Sequence, residues 1–387
     1  MTTTAEKVRH GMAEHSHGTV VPPSTRADRE DRDQVPGGRE ESWRFTPMKR
    51  LRDLVPGRDP SGAAAVDTDL PEGMRVEVVA ADDERIGTAG EPVDYVTQFA
   101  RRTVDKATLV TVPAETRVDT SATITITGPG EGKTAYGHLQ VRAERFAEAV
   151  VVLDYRGSGT FADNVEFVVG DGARLTVVSI QDWADDAVHV SAQHALLGRD
   201  AVLRHTAVTL GGDLVRLSPT VTYGGPGGDA ELLGLYFADA GQHLEHRTFV
   251  DHAQPHCKSN VAYKGALQGE DAHTVWIGDV LIRAAAEGTQ TFELNRNLVL
   301  TDGARADSVP NLEIETGEIE GAGHASATGR FDDDQLFYLQ TRGIPEQQAR
   351  RLVVRGFFHE VLLKIGVPEV RERLEAAIEE ELWAVGV

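Results

Sequence analysis

Gly170-Asp171-Gly172-Ala173 precedes the apolar stretch Leu175–Ile180, and this pairing of a turn with a short strand recurs along the chain. Such a turn needs a residue that tolerates positive φ, followed by a small residue that packs beneath its neighbour. Related turns at spacings of 28, 29, 42 and 32 residues end in Ala173, Ala201, Ala230, Ala272 and Ala304. A repeat of roughly 20–50 residues is typical of solenoids, because every coil turns at the same place. The sequence therefore favours a parallel β-helix, with a β-sandwich as the alternative.

Short β-branched runs, punctuated by Gly and Asp, fill the region from about residue 90 to 330. No helical period separates them, which disfavours a doubly wound α/β fold. The runs predicted as strands are Ala122–Thr127, Ala149–Leu153, Val165–Val169, Leu175–Ile180, Ala207–Leu210, Leu232–Phe237, Val275–Ile282, Leu298–Leu300 and Leu312–Ile314.

The flanking segments differ in composition from this β-rich region. The first residues are polar and charge-mixed, and we interpret His10, His15 and His17 there as solvated side chains rather than metal ligands. A short helix is predicted at Lys49–Leu54, and two amphipathic helices near the C-terminus would cover the open end of the solenoid. The predicted division is a disordered tail at 1–41, an N-terminal helical segment at 42–90, a parallel β-helix core at 91–330 and a C-terminal helical domain at 331–387.

Charge and cysteine content exclude several classes of protein. The 387 residues contain 39 Lys and Arg against 61 Asp and Glu, a net charge of −22, which disfavours nucleic acid as a partner. The one cysteine, Cys257, rules out an intramolecular disulfide and a self-contained Cys₄ metal site. The sequence has no run of about 18 apolar residues and no apolar core in its N-terminal stretch. We therefore expect a cytoplasmic protein with no membrane partner.

The loop Gly128-Pro129-Gly130-Glu131-Gly132-Lys133-Thr134 resembles a phosphate-binding loop. A Walker A loop needs four residues between its first Gly and its Gly-Lys pair, whereas only three separate Gly128 from Gly132. Because the missing residue changes the cradle of backbone N–H groups itself, we do not expect this chain to hydrolyse nucleotides.

The stretch from His243 to Cys257 is dense in side chains that can bind metals. A zinc hydrolase would need three convergent ligands and an open coordination position. On a strand, His252 and His256 would share a face only if the strand continued through Pro255. We interpret the stretch as polar side chains laddered along the β-helix and Cys257 as a buried small hydrophobe, and we keep His252, His256 and Cys257 as secondary candidate metal ligands.

One further stretch carries a family resemblance. Gly323-His324-Ala325-Ser326-Ala327-Thr328-Gly329, with Asp334–Leu339 and Thr341–Ile344, resembles the C-terminal signature of the SufB/SufD family, its SufD members in particular, in the SUF iron–sulfur cluster assembly machinery. The resemblance covers about residues 40–365. Its other matching motifs are Ser42–Thr46, Leu210–Asp213, Gln242-His243, Asp251-His252, Ser259, Lys264-Gly265, Gly278, Asn297–Leu300 and Pro310–Ile314.

This resemblance implies a right-handed parallel β-helix between helical ends. It implies a non-catalytic scaffold subunit in a complex with a SufB-like paralogue and SufC, an ABC-type ATPase that hydrolyses the ATP. A transient iron–sulfur cluster would form at the subunit interface. A flavin is possible in the assembled complex, and no cofactor is expected to bind the isolated chain tightly.

The resemblance also implies roles for individual residues. His324 occupies the position of the family's interface histidine, where it would offer a neutral imidazole to iron. Many family members carry Cys two residues earlier, but this chain has Ala322 there. The C-terminal helices would dock the ATPase, and Arg350, Arg351 and Arg355 would present a basic patch that steers it.

Two alternatives belong to other functional classes. One is a β-helix carbohydrate-active enzyme that uses paired carboxylates. The other is a metal-dependent hydrolase built on the residues from His243 to His256.

Overall fold

Two nine-stranded sheets form the body of the computed structural model, which describes residues 32–331 and 333–384. Sheet A contains, in spatial order, β1 (Ala65–Asp69), β4 (Ala122–Thr127), β6 (Glu148–Gly157), β8 (Arg174–Trp183), β10 (Val202–Thr209), β12 (Asp229–Ala238), β14 (Lys258–Leu267), β16 (Gln290–Val299) and β18 (Gly321–Arg330). Sheet B contains β2 (Arg75–Ala80), β3 (Lys106–Val112), β5 (Thr134–Ala143), β7 (Thr160–Val169), β9 (Val188–Leu197), β11 (Leu214–Tyr223), β13 (His243–His252), β15 (His273–Ile282) and β17 (Arg305–Ile314).

The chain alternates between the two sheets from β3 onward, so each strand pairs with the strand one coil earlier. Every pairing is parallel except β1 with β4 and β2 with β3, which are antiparallel. Strands β6 to β18 of sheet A begin at residues 148, 174, 202, 229, 258, 290 and 321, so one coil takes 26 to 32 residues. The predicted parallel β-helix is confirmed. The spacing of 42 arises because Ala230 lies in a sheet A strand and Ala272 precedes a sheet B strand.

The corners of the coils have the predicted chemistry. A residue with positive φ stands directly before a small residue that is buried or half-buried in the lumen. These pairs are Gly172 (φ 66°) with Ala173, Asp200 (54°) with Ala201, Asp271 (61°) with Ala272, and Gly303 (87°) with Ala304. His256 (φ 59°) and Cys257 form the same pair at the corner before β14. Cys257 is 0% exposed and therefore fills the small-residue position of its coil.

The N-terminal segment covers the outer face of sheet B. Two short 3₁₀ helices (Glu41–Trp43 and Met48–Leu54) and helix α1 (Tyr95–Thr103) supply the apolar side chains. Trp43 and Leu51 pack in one cluster with outward-facing residues of this sheet such as Val188 and Val190. Because both faces of the central strands are buried, their sequences are nearly continuous apolar runs.

A buried arginine fastens this segment to sheet B. The Arg216 guanidinium lies 4.1 Å from the centre of the Trp43 ring, donates to the Ser42 carbonyl at 3.0 Å, and forms ion pairs with Asp94 and Glu245. Burial opposes ionisation of Glu245, but Arg216 outweighs burial and holds the pKa of that carboxyl well below its usual range. The Ser42–Thr46 motif is therefore an anchoring segment.

Three helices follow the solenoid, where two were predicted: α2 (Asp333–Thr341), α3 (Glu346–Lys364) and α4 (Pro368–Ala384). The expectation that they cover its open end is wrong. Phe358, Leu362 and Leu374 pack against outward-facing side chains of sheet A, among them Val178 and Leu235. These apolar side chains would otherwise face water along the flank of the solenoid, which explains why the helices lie there.

The observed elements also shift the expected boundaries. Residues 42–90 contain strands β1 and β2 as well as the 3₁₀ helix at Met48–Leu54, and α1 follows this segment. Residues 1–31, with His10, His15 and His17, lie outside the described part. Among the helices of the described residues, none is long and apolar enough to span a membrane.

We expect Cys257→Ala to be well tolerated, because alanine occupies the matching corner of other coils. The loss of one buried sulfur should cost about 1–2 kcal/mol, seen as a small drop in melting temperature. The matched variant Ala201→Val adds bulk at an equivalent corner and should destabilise more, because overpacking forces the coils apart. Loss of iron loading in a stably folded Cys257→Ala protein would contradict the packing role.

Candidate functional site

The solenoid ends at strands β17 and β18, which are the last strands of their sheets. Most residues of β18 are exposed, and those of β17 are mostly half-buried. No element of residues 32–331 and 333–384 pairs with the outer edges of these two strands. The edges therefore present unpaired N–H and C=O groups of two ten-residue strands, a surface that favours pairing with another chain.

His324 lies near the start of this terminal strand. It stands in register with Glu293 of β16. Side chains of β16 alternate between buried and more exposed positions, and Glu293 is on the buried face that points into the lumen. Since paired residues of a parallel ladder share a face, His324 stands over Glu293 at the mouth of the lumen. The imidazole remains exposed because no further coil covers it.

Glu293 is the functional candidate that sequence reasoning missed. Its side chain is 1% exposed, and neither carboxylate oxygen has a hydrogen-bond partner within the described residues. Burial raises the pKa of Glu293 to about 8, and the nearby Asp279 adds to the rise. The alternation of Thr291, Glu293, Asn295 and Asn297 was visible in the sequence, but only the strand register places Glu293 beneath His324.

The next layer of the lumen leaves room beside this carboxylate. A Cβ atom on Gly278 would lie 2.3 Å from the Trp276 ring and 2.7 Å from Oε1 of Glu293, so only glycine fits there. The indole N–H of Trp276 is also buried without a partner in the described structure. Glu293, Trp276 and Gly278 thus form a polar pocket just inside the mouth, which we call the mouth pocket.

Polar groups further along β16 are fully paired, in contrast to the mouth pocket. The Asn295 side-chain amide donates to the Tyr236 hydroxyl at 2.9 Å, and that hydroxyl donates to Oδ1 of Asn297 at 2.7 Å. The Asn297 amide in turn donates to Asn295 Oδ1 at 2.8 Å. A closed network of this kind stabilises the coil stack, whereas the unpaired carboxylate does not.

The secondary metal candidates do not converge. His252 points into the lumen, stacks on Tyr223 at 4.8 Å and shares a hydrogen bond of 2.9 Å with Ser259. His256 is exposed in the corner, because β13 ends at His252 and does not continue through Pro255. Across residues 32–331 and 333–384, no three His, Cys, Asp or Glu side chains lie together as a metal-dependent hydrolase would require.

The predicted basic patch on α3 is largely paired within the helical domain. Arg350 forms an ion pair with Glu346 at 3.0 Å, and its guanidinium lies 4.8 Å from the centre of the Phe331 ring. Arg355 lies 3.7 Å from both Glu375 and Glu379 of α4. These contacts neutralise much of the patch.

Exposed apolar side chains lie on the same helices. Phe337 is 67% exposed, Tyr338 57%, Leu352 43% and Leu363 56%. We call these four residues the helical apolar patch. A shallow groove beside it is lined by Asp334, Tyr338, Leu339 and Val353. Groups of exposed apolar residues like this one often mark a binding surface.

The glycine-rich loop from Gly128 to Thr134 leads into strand β5. A phosphate loop must lead into a helix, whose N-terminal N–H groups hold the phosphates. The local structure therefore agrees with the loop spacing that argued against nucleotide binding.

Comparison with known proteins assigns the family. Residues 124–357 match the family model described as SUF system FeS cluster assembly, SufBD core domain. The chain belongs to the SufBD family. An iron–sulfur cluster assembly SufBD family protein of Mycobacterium tuberculosis is 66% identical over 356 residues, which are 90% of each chain. A protein of the same description from Mycobacterium leprae is 63% identical over 90% of this chain and 91% of its own.

A more distant relative is the iron–sulfur cluster assembly protein SufD of Bacillus subtilis, which is 26% identical over 70% of this chain and 63% of its own. The resemblance stated from the sequence is thus confirmed for the SufBD family. The mouth pocket and the strand that carries His324 both lie within the matched SufBD core.

Glu293→Gln should change how the stability of this SufBD protein depends on pH. The folded carboxyl keeps its proton up to about pH 8, while the unfolded one loses it near 4.5. Between these values the folded state binds the extra proton, so stability falls as pH rises through this window. From pH 6 to 8 the loss should be on the order of 2 kcal/mol, and Gln should remove it.

Melting temperatures at pH 6 and 8 would measure this effect. The control is Glu320→Gln, which removes the same charge from an exposed position one residue before β18. The control should follow the wild type. A Glu293→Gln protein whose melting temperature declines in parallel with the wild type would show that Glu293 titrates normally.

Proposed function

We propose that this chain is a SufD-like, non-catalytic scaffold subunit of a SUF iron–sulfur cluster assembly complex. It pairs through the open end of its solenoid with a SufB-like paralogue and through its C-terminal helices with an ABC-type ATPase that hydrolyses the ATP. Its role is to help build a nascent cluster at the paralogue interface and pass it on. His324 is the residue through which it touches that cargo.

The observation that carries the proposal is the position of His324 on the last strand. The imidazole is exposed at the end of a stack of coils, beside strand edges whose backbone groups have no partner in the described structure. A second β-helix that docks end to end would satisfy those groups, as added strands do in other sheets. Its own side chains would then face His324 across the interface.

The chemistry of iron fits a site shared between two chains. A neutral imidazole is a borderline ligand that suits iron, but nascent clusters also need thiolates. Cys257, the only cysteine of this chain, is buried at a corner, and burial raises the pKa of its thiol. The thiolates therefore come from the partner, and this chain contributes the imidazole.

The assignment to SufD rather than SufB draws on the Bacillus subtilis relative, whose printed name is SufD. The departure from Walker A spacing supports the view that ATP is hydrolysed elsewhere in the complex. For the ATPase surface, the helical apolar patch supports docking better than the three arginines do, because Arg350 and Arg355 are already paired.

His324→Ala should leave folding and partner assembly nearly unchanged and lower cluster formation several-fold. An exposed imidazole loses little packing when it is truncated, and surface substitutions usually shift stability by only about 0.5 kcal/mol. Melting temperature, yield of the complex and iron and sulfide content would be compared with those of Ser326→Ala. Ser326 is on the same strand and, like His324, on the lumen side, and its replacement should behave as the wild type. Normal cluster content in the His324→Ala complex would remove this residue from the function.

Leu352→Asp should weaken binding of the purified ATPase at least about tenfold, because it places a charge in an apolar contact whose burial costs several kcal/mol. Calorimetric titration would measure the affinity. The control is Val78→Asp on β2, a 69% exposed valine at the opposite end of the solenoid. Equal binding by both variants would move the docking surface away from α3.

A further inference from the structure

The buried carboxylate of Glu293 lacks the partners that other buried carboxylates of this protein have. Glu166 accepts hydrogen bonds from the backbone N–H groups of Gly87 (2.6 Å) and Ala89 (2.9 Å) and contacts His138 at 2.7 Å. Glu245 accepts from Arg216 and from the Thr46 hydroxyl. Glu293 is as buried as these two and has none.

Such a group destabilises the folded protein. A buried polar atom without a partner costs about 1–3 kcal/mol, and more if it is charged. Leucine or glutamine at this position would avoid that cost. The carboxylate is therefore out of place as a packing residue, and its location in the last covered layer of the lumen needs another explanation.

The register supplies one. Glu293 and His324 are ladder partners on the lumen side of adjacent strands, which lie about 4.8 Å apart. At that separation a carboxylate oxygen and an imidazole nitrogen can reach the same ion, whose bonds to such ligands are about 2.0–2.2 Å long. The absence of a Cβ at Gly278 leaves free volume beside Oε1 of Glu293.

We propose that Glu293 and His324 form a two-donor site for a divalent iron ion at the mouth of the solenoid. A carboxylate together with an imidazole suits ferrous iron, and the remaining coordination positions face the open end, where water or donors of a docked partner can fill them. The Trp276 indole N–H, which has no partner in the described structure, is directed at the same pocket and can donate to a ligand of the ion. The inference rests on the proposed function in placing the cargo at His324, and it adds a second residue and the iron itself.

Metal binding to the full chain under anaerobic conditions tests the site without any cluster chemistry. Ferrous ion, and Co²⁺ as a stable substitute, would be titrated while the fluorescence of Trp276 is followed, because a paramagnetic ion in the mouth pocket quenches the neighbouring indole. The protein has four tryptophans, so Trp276→Phe identifies the share of the signal that comes from this site.

Wild-type protein should show saturable quenching with one ion per chain at this site. Glu293→Gln and His324→Ala should each weaken binding at least about tenfold, and the double variant should lose no more than the sum of both effects. The controls Glu320→Gln and Ser326→Ala should retain wild-type affinity. Wild-type affinity in Glu293→Gln, or quenching that survives in Trp276→Phe to its full extent, would overturn the inference.

Measurements on the assembled complex separate this inference from the proposed function. If His324→Ala lowers cluster content while Glu293→Gln retains both ion binding and cluster content, the proposed function stands and the two-donor site fails. If His324→Ala leaves cluster content unchanged, the proposed function fails. Loss of ion binding in both variants of the isolated chain would still support the two-donor site in that case.

Discussion

A strand of a solenoid can satisfy its backbone only with the coil before it and the coil after it. The other features of this protein depend on that constraint. Each coil must return to the same line within 26 to 32 residues, which fixes positive φ and a small residue at corners such as Asp200-Ala201. The stack cannot close on itself as a barrel does, so the last coil keeps an unpaired edge. His324 belongs to that coil.

The long flanks of the stack raise a different requirement. Both sheets carry apolar residues on their outer faces, and the terminal segments cover them, with Trp43 on sheet B and Phe358 on sheet A. Arg216 fixes the N-terminal segment through a desolvated pair, which contributes to the specificity of docking more than to net stability. Because both terminal segments pack along the flanks, neither covers β17 and β18. Covered flanks and an open end are thus two results of one arrangement.

Sequence reasoning located the solenoid well because corners and apolar runs are local signals. It found β8, β12 and β15 within longer strands, but it assigned no strand to Gly321–Arg330, which is small and polar throughout and becomes a strand only by pairing with β16. The side on which the C-terminal helices pack was also out of reach, since an amphipathic stripe does not say which surface it covers. The arginines of α3 formed a patch on the helix alone, and partners on α4 then neutralised Arg355.

Glu293 shows why a functional site of this kind is harder to predict than the fold around it. Alternation along β16 says that Glu293 points inward, yet an inward glutamate in a polar ladder looks the same as Asn295 or Asn297 until hydrogen bonds are assigned. Those asparagines belong to a closed network, whereas Glu293 has no partner and contributes only cost. A residue that weakens its own fold persists where another requirement outweighs stability. In a stack whose interior is otherwise paired, that requirement arises at the layer where the lumen meets the next molecule. The site is therefore half-built in this chain and is completed only when a second surface closes the open end.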